Sequence, residues 1–185
     1  MELRDALYGR RAIRQFTPEP VARPVLERLI DAAIQAPSAI NAQPWHFTVI
    51  SKASLLDSIA VEAKAYMLRL AVVSDFPNHF RTTLAADDYH IFYHAPVLAV
   101  ISARSGEWAM EDASLAAQNF MLAAYAEGLG SCWIGFAQAW LKTKDGRRAI
   151  GLEDEYLPVA PIIVGHPAQP VPPVPRQPAR TRWFN

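Results

Sequence analysis

The chain reads as an α+β domain, and three observations carry that class. Apolar residues recur at helical spacing over 24–36. Two apolar runs, 95–102 and 156–165, have the length of strands. Residues 110–127 form a long helix that is apolar on nearly every side.

Taken in order, residues 2–8 read as a short helix with Leu3, Ala6 and Leu7 on one side, stopped at Gly9. Residues 10–16 look irregular or extended, and TPEP at 17–20 is a turn. In 24–36 the repeating residues are Val25, Leu26, Leu29, Ile30, Ala33 and Ile34; Pro24 suits a first helical turn and Pro37 ends the helix. HFTVI (46–50) reads as a strand and 53–70 as a helix. Residues 72–80 form a polar break, and Ser74 to Asn78 within it suggests mobility. The stretch 81–94 fits either irregular chain or a second short helix. APVLAVIS (95–102) is a buried strand. The 110–127 helix carries Ala113, Leu115, Ala117, Phe120 and Met121 around its circumference, so it belongs in a core or a subunit interface. SCWIGF (131–136) is a short strand or loop, and 138–150 is mostly helical. Pro158 and Pro161 give the 156–165 strand an edge-like character.

The 185 residues fit one compact domain over 1–165, followed by an arm of the same domain over 166–185. Prolines at 167, 170, 172, 173, 175 and 178 favour extended backbone there. We read the arm as lying across a surface, where Trp183 and Phe184 would pack; a disordered tail is the alternative. Lysines and arginines total 18 and so do aspartates and glutamates, so no overall field draws the protein to nucleic acid or an anionic membrane. Cys132 is the only cysteine. It cannot form an internal disulfide or by itself hold a structural zinc or iron–sulfur cluster, and it is compatible with a cytoplasmic setting. The N-terminal residues lack the apolar run of a signal peptide, and 113–126 and 157–164 are too short or interrupted to span a bilayer.

Three segments carry candidate chemistry. In extended chain, Arg10, Ala12 and Arg14 share a face, while Arg11, Ile13 and Phe16 point largely elsewhere. Two guanidinium groups separated by a small residue suit a dianion, since each offers a planar fork of donors; a solvated basic turn has the same spacing. The segment Ala36–Trp45 is dense in hydrogen-bonding groups. Ser38, Asn41 and Gln43 could bind a polar ligand edge, although serine and asparagine are also ordinary turn residues. Gly128 to Phe136 lacks the third glycine of a dinucleotide motif and follows a helix, so its glycines serve the turn and a close approach of backbone to ligand. The five histidines show no metal-ligand spacing with the cysteine; His90 and His94, four apart, would share a helix face.

These segments, in their order, resemble the FMN-dependent nitroreductase family. The matching pieces are RRAIRQF, APSAINAQPW, DASLAAQNFMLAAYAEGLG, SCWIGF, PIIVGHP and the late Arg176-Gln177-Pro178, and the resemblance covers nearly the whole chain. It implies a central, mostly antiparallel sheet of four or five strands flanked by helices. It also implies an intertwined homodimer, with the 110–127 helix at the two-fold interface and the arm wrapped onto the partner. FMN would lie between the subunits and carry electrons from NADH or NADPH to a small organic acceptor by a ping-pong route. Dehalogenation, semialdehyde or enal reduction, and a non-enzymatic flavin-binding module are alternatives on the same scaffold.

Residue by residue, the resemblance pairs Arg10 with the FMN phosphate, with Arg11 and Ala12 beside it. Arg14 falls near the flavin N1 and C2 carbonyl. Arg176 closes on the phosphate, with Arg180 and Arg182 as other candidates. Pro37, Ser38, Ala39 and Asn41 reach the flavin of the other subunit. Ile134 and Gly135 lie at the ring, where a backbone N–H meets N5. No catalytic side chain and no metal ligand are named. The chain departs from the family in three places: Ala12 stands where serine is frequent, SCWIGF is a glycine short, and His94 stands where a glycine is common.

Overall fold

A computed structural model describes residues 1–73 and 77–184, without the side chain of Val73. The mobility expected around Ser74 to Asn78 falls largely outside the described residues. Four strands form one antiparallel sheet: β1 (Trp45–Ile50), β2 (Val97–Arg104), β3 (Gly130–Trp133) and β4 (Tyr156–Gly165), in the order β1-β2-β4-β3. The helices are α1 (Leu3–Gly9), α2 (Arg23–Ala33), α3 (Ala53–Val73), α4 (Asn78–Ala85), α5 (Ala109–Ala126), α6 (Gly135–Leu141) and α7 (Lys144–Ala149). None is long and apolar enough to cross a membrane.

Both faces of the sheet are covered, which explains the unbroken apolar runs of β2 and β4. Val97, Ala99, Ile101, Ile162 and Val164 point to the layer of α2 and α5. Leu98, Val100 and Ile163 point to the layer of α3 and α6. This alternation is the two-residue period of a strand. Ala113, Ala116, Ala117 and Ala124 are fully buried on α5, and their small side chains let the helix lie close to its neighbours. Phe120, also fully buried, anchors that layer, at about 2–3 kcal/mol for a side chain of its size.

Several expectations are corrected. Strand β4 is central, paired on both sides, despite its two prolines. Pro161 faces the point where β3 has ended: its carbonyl accepts from Ile134 N at 2.8 Å, and the Ile134 carbonyl accepts from Ala137 N. No ladder bond is lost to the missing N–H. Pro158 sits beside a register shift at Ile101/Ser102. The helical stretch starts at Gly135, not 138, and breaks before Thr143, whose hydroxyl caps α7 by accepting from Gly146 N at 3.0 Å. His90 and His94 lie in turns after α4, not on a helix; their rings nevertheless stack with centroids 4.3 Å apart. Within one chain Leu3, Leu7, Trp183 and Phe184 are exposed, so the packing expected of the last two is not met by their own chain.

The N-terminal segment is stitched to the far end of the sequence. Ile13 N donates to Ser131 O at 3.0 Å, and Ala12 forms an isolated parallel bridge with Ser131 beside β3. Thr17 N donates to His166 O at 2.9 Å, and Ala168 N returns a bond to Gln15 O at 3.0 Å. Gly130 is needed here: a Cβ on it would lie 2.7 Å from Ile13 Cβ. Its close approach is to the chain's own segment, not to a ligand.

Candidate functional site

Arg10 follows α1, and its N–H caps the helix by donating to Ala6 O at 3.0 Å. Burial lowers the Arg10 pKa, and the positive charges of Arg176 and Arg11 lower it further. The fold thus brings together guanidinium groups from distant parts of the sequence, and among the described residues neither Arg10 nor Arg176 has an ion-pair partner. Like charges converge only at a cost, and an anion placed between them would offset it. A cavity of about 230 Å³ opens here, lined by Arg10, Arg11, Tyr125, Gly128, Gln169 and Val171. Arg11 is committed locally: its Nη1 donates to the carbonyls of Tyr8 and Arg10 at 2.7 and 2.8 Å.

Arg14 belongs to an adjoining cavity of about 360 Å³, walled by Tyr89, Tyr93, Trp133, Gly135 and Phe136. Its guanidinium carbon lies 6.0 Å from the centre of the Tyr93 ring. The buried Cys132 thiol ties the two cavities together: burial pushes its pKa up, and the charges of Arg14 and Arg10 both pull it back. The hydroxyls of Tyr89 and Tyr93 are 3.1 Å apart. Burial, then that hydrogen bond, raises the Tyr89 pKa far above the usual phenol value. At the floor, the Ile134 N–H is spent on Pro161, which leaves the Gly135 N–H free to meet a ligand. A Cβ on Gly135 would meet nothing within 4 Å, so the backbone there is open to approach.

The segment from Pro37 to Asn41 is elsewhere. Ser38 Oγ accepts from Gln43 N at 2.9 Å, and Ala39 N donates to the buried Asp112 Oδ1 at 2.9 Å. Trp45 Nε1 donates to Asp112 O at 3.1 Å. Ile40, Asn41 and Gln43 have positive φ of 49°, 56° and 47°, and Ile40 is 99% exposed. This loop sits at the first turn of α5, whereas Tyr125 and Gly128 lie at its other end. Asp112 and Tyr125 are thus separated by roughly 20 Å of helix. One chain does not bring Pro37, Ser38, Ala39 and Asn41 to the cavities that hold Arg10, Arg14, Ile134 and Gly135.

Sequence reading missed Asp112, Tyr89 and Tyr93. Asp112 had a signal, an acid in the first turn of a helix; the tyrosines lie in a segment without periodicity, where nothing marked them.

Comparison with known proteins bears on the whole arrangement. The family model described as "Nitroreductase family" matches residues 7–166. The Bacillus subtilis protein provisionally named NAD(P)H nitroreductase YodC is 30% identical, over 90% of this chain and 90% of its own. Nitroreductase NfnB of Mycolicibacterium smegmatis is also 30% identical, over 68% of this chain and 67% of its own. Among solved structures, a nitroreductase with bound FMN from Desulfitobacterium hafniense superposes with a TM-score of 0.85 at 21% identity, covering 100% of both chains. At that identity the superposition speaks for the fold, and the family model and the curated relatives speak for descent. The chain, from its N-terminal arginines to the exit of β4, belongs to the nitroreductase family.

Proposed function

We propose that two copies of this chain hold FMN at their shared interface and use it to pass electrons from NADH or NADPH to a small organic acceptor, such as a nitroaromatic or a quinone, in a ping-pong cycle. The observation that carries the reading is the convergence of a partly buried Arg10 and an exposed Arg176, neither with an ion-pair partner among the described residues, beside a second cavity floored by open backbone. Paired guanidinium forks fit a phosphate dianion, and an aromatic-walled cavity fits a planar ring. FMN, when bound, supplies a carrier that takes hydride from reduced nicotinamide and returns it to the acceptor.

The chain's own residues do the rest. Arg10 and Arg176 neutralise the phosphate. Arg14 offers a fixed positive charge where reduction of the ring builds negative charge. The Gly135 N–H orients the ring's redox edge without a titrating side chain. The loop of Pro37, Ser38, Ala39 and Asn41 reaches a site only on a second copy, because α5 holds it away from its own. That supports an intertwined homodimer, with Leu3, Leu7, Leu115, Trp183 and Phe184 as apolar surface to be covered. The buried lone thiol suits a cytoplasmic setting.

The test is optical. Purified protein supplied with FMN is expected to turn yellow, elute as a dimer, and bleach rapidly under anaerobic NADH or NADPH. Yellow protein that never bleaches would leave only a flavin-binding module. Arg14→Ala is expected to retain FMN less tightly and to be reduced more slowly; unchanged behaviour on both counts removes Arg14 from its role.

A further inference from the structure

The Tyr89 and Tyr93 hydroxyls are not used by the reading above, and their geometry is specific. They are partly buried, 3.1 Å apart, and belong to rings packed edge-to-face with centroids 5.7 Å apart. A hydroxyl pair consumes one of its two hydrogens internally. Whichever tyrosine donates to the other, one O–H remains to be offered outward, and a donor that itself accepts a hydrogen bond is polarised and strengthened. Both tyrosines line the cavity that holds Arg14 and Gly135, and both also line its neighbour of about 470 Å³. The pair is held in place from behind. Lys64 Nζ donates to the carbonyls of Ala86 and Tyr89 at 2.7 and 2.9 Å, and His90 Nδ1 accepts from Phe92 N at 3.2 Å. Tyr93 itself has a positive φ of 51°, a conformation that costs a bulky residue energy and is kept when something depends on it. Among the described residues no carboxylate lines the Arg14 cavity, whose other chargeable members are His79, Cys132 and the two tyrosines; Asp88 lines the neighbouring one.

We infer that Tyr89 and Tyr93, with Arg14, form a donor site for an oxygen carried on a planar aromatic ring, and that they position that ring in the cavity. The inference deepens the flavin reading and rests on it. The chemistry is that of a ring-borne oxygen with partial or full negative charge. Two ligands in the proposed cycle carry one: the pyrimidine carbonyl of the flavin and the nitro or quinone oxygen of the acceptor. A cationic or oxygen-free ring gains nothing from the pair. Burial raises the Tyr89 pKa and so keeps that phenol protonated, hence a donor, at neutral pH.

Tyr89→Phe, Tyr93→Phe and the double variant test this, since each removes a hydroxyl and leaves the ring. Two affinities are measured on the full chain: FMN for the apoprotein by fluorescence quenching, and nitrobenzene for the FMN-loaded protein by perturbation of the flavin spectrum, with toluene as the ring that lacks oxygen. The double variant is expected to lose about five- to tenfold in one affinity, the scale of one neutral hydrogen bond, and each single variant less. Loss confined to FMN assigns the site to the cofactor. Loss for nitrobenzene, with toluene unchanged, assigns it to the acceptor. Equal loss for nitrobenzene and toluene, or a thermal midpoint that falls while both affinities hold, reduces the pair to packing and overturns the inference. So do unchanged affinities in a protein whose wild type binds FMN. A wild type that takes up no FMN instead removes the flavin reading, and this inference with it.

Discussion

The two ends of helix α5 face opposite problems. At its first turn a network is closed: Asp112 accepts from Ala39 N, its carbonyl accepts from Trp45, and Ser38 closes the loop through Gln43. Beyond its last turn the fold gathers Arg10 and Arg176, and among the described residues no carboxylate pairs with either. One end is a finished network that holds an apolar residue, Ile40, out to solvent. The other is an unfinished one. The difference teaches that the strain of three positive-φ residues is affordable where hydrogen bonds over-determine the loop.

Substitutions can break this comparison or sharpen it. The largest effect is expected at the closed end. Asp112→Ala leaves the Ala39 N–H without its acceptor and should cost about 2–3 kcal/mol in urea unfolding, because a bond to a buried carboxylate is lost and a donor stranded. Asp112→Asn, which keeps an oxygen, should cost less. At the open end, Arg10→Ala should leave folding stability unchanged or raise it, since it relieves repulsion with Arg176, while FMN affinity falls about tenfold or more. A fall in stability there would show that Arg10 serves the fold. Ser38→Ala should cost about 1 kcal/mol, the scale of a single side-chain-to-backbone bond, and should loosen FMN only if the loop reaches a ligand across subunits.

The smallest effect is a pH dependence. Burial, then the neighbouring His94, lowers the His90 pKa below its ordinary 6.5. The folded state therefore prefers neutral His90, so its contribution is fully present above pH 6.5 and is lost as pH falls toward the depressed value. Thermal midpoints should decline on acidification below that pH, and His90→Gln should flatten the decline.

Much of the architecture could be read from pattern. Helix α2 repeats at 3.6, β2 has strand length and no polar break, and α5 is apolar all round; each feature is dictated by what the element packs against. The errors arose where local rules meet partners remote in sequence. Prolines argue for an edge in isolation, yet Pro161 lies where its neighbour has already turned away to start α6. Gly130 suggests room for a ligand, yet the room belongs to Ile13. The family was legible as an ordered set of motifs, because arginine spacing and the SCWIGF turn are local in sequence. Asp112, Tyr89 and Tyr93 were not, because a buried acid and a hydroxyl pair gain meaning only from distances.

The seam joining residues 12–17 to Ser131, His166 and Ala168 also fixes a timetable. On the ribosome Ile13 and Thr17 emerge well before Ser131 and His166, whose backbone groups receive them. Throughout translation the N-terminal arginines must wait on an unpaired ribbon of chain. The pocket around Arg10 therefore closes only after Gln169 and Val171, which line it, have left the exit tunnel.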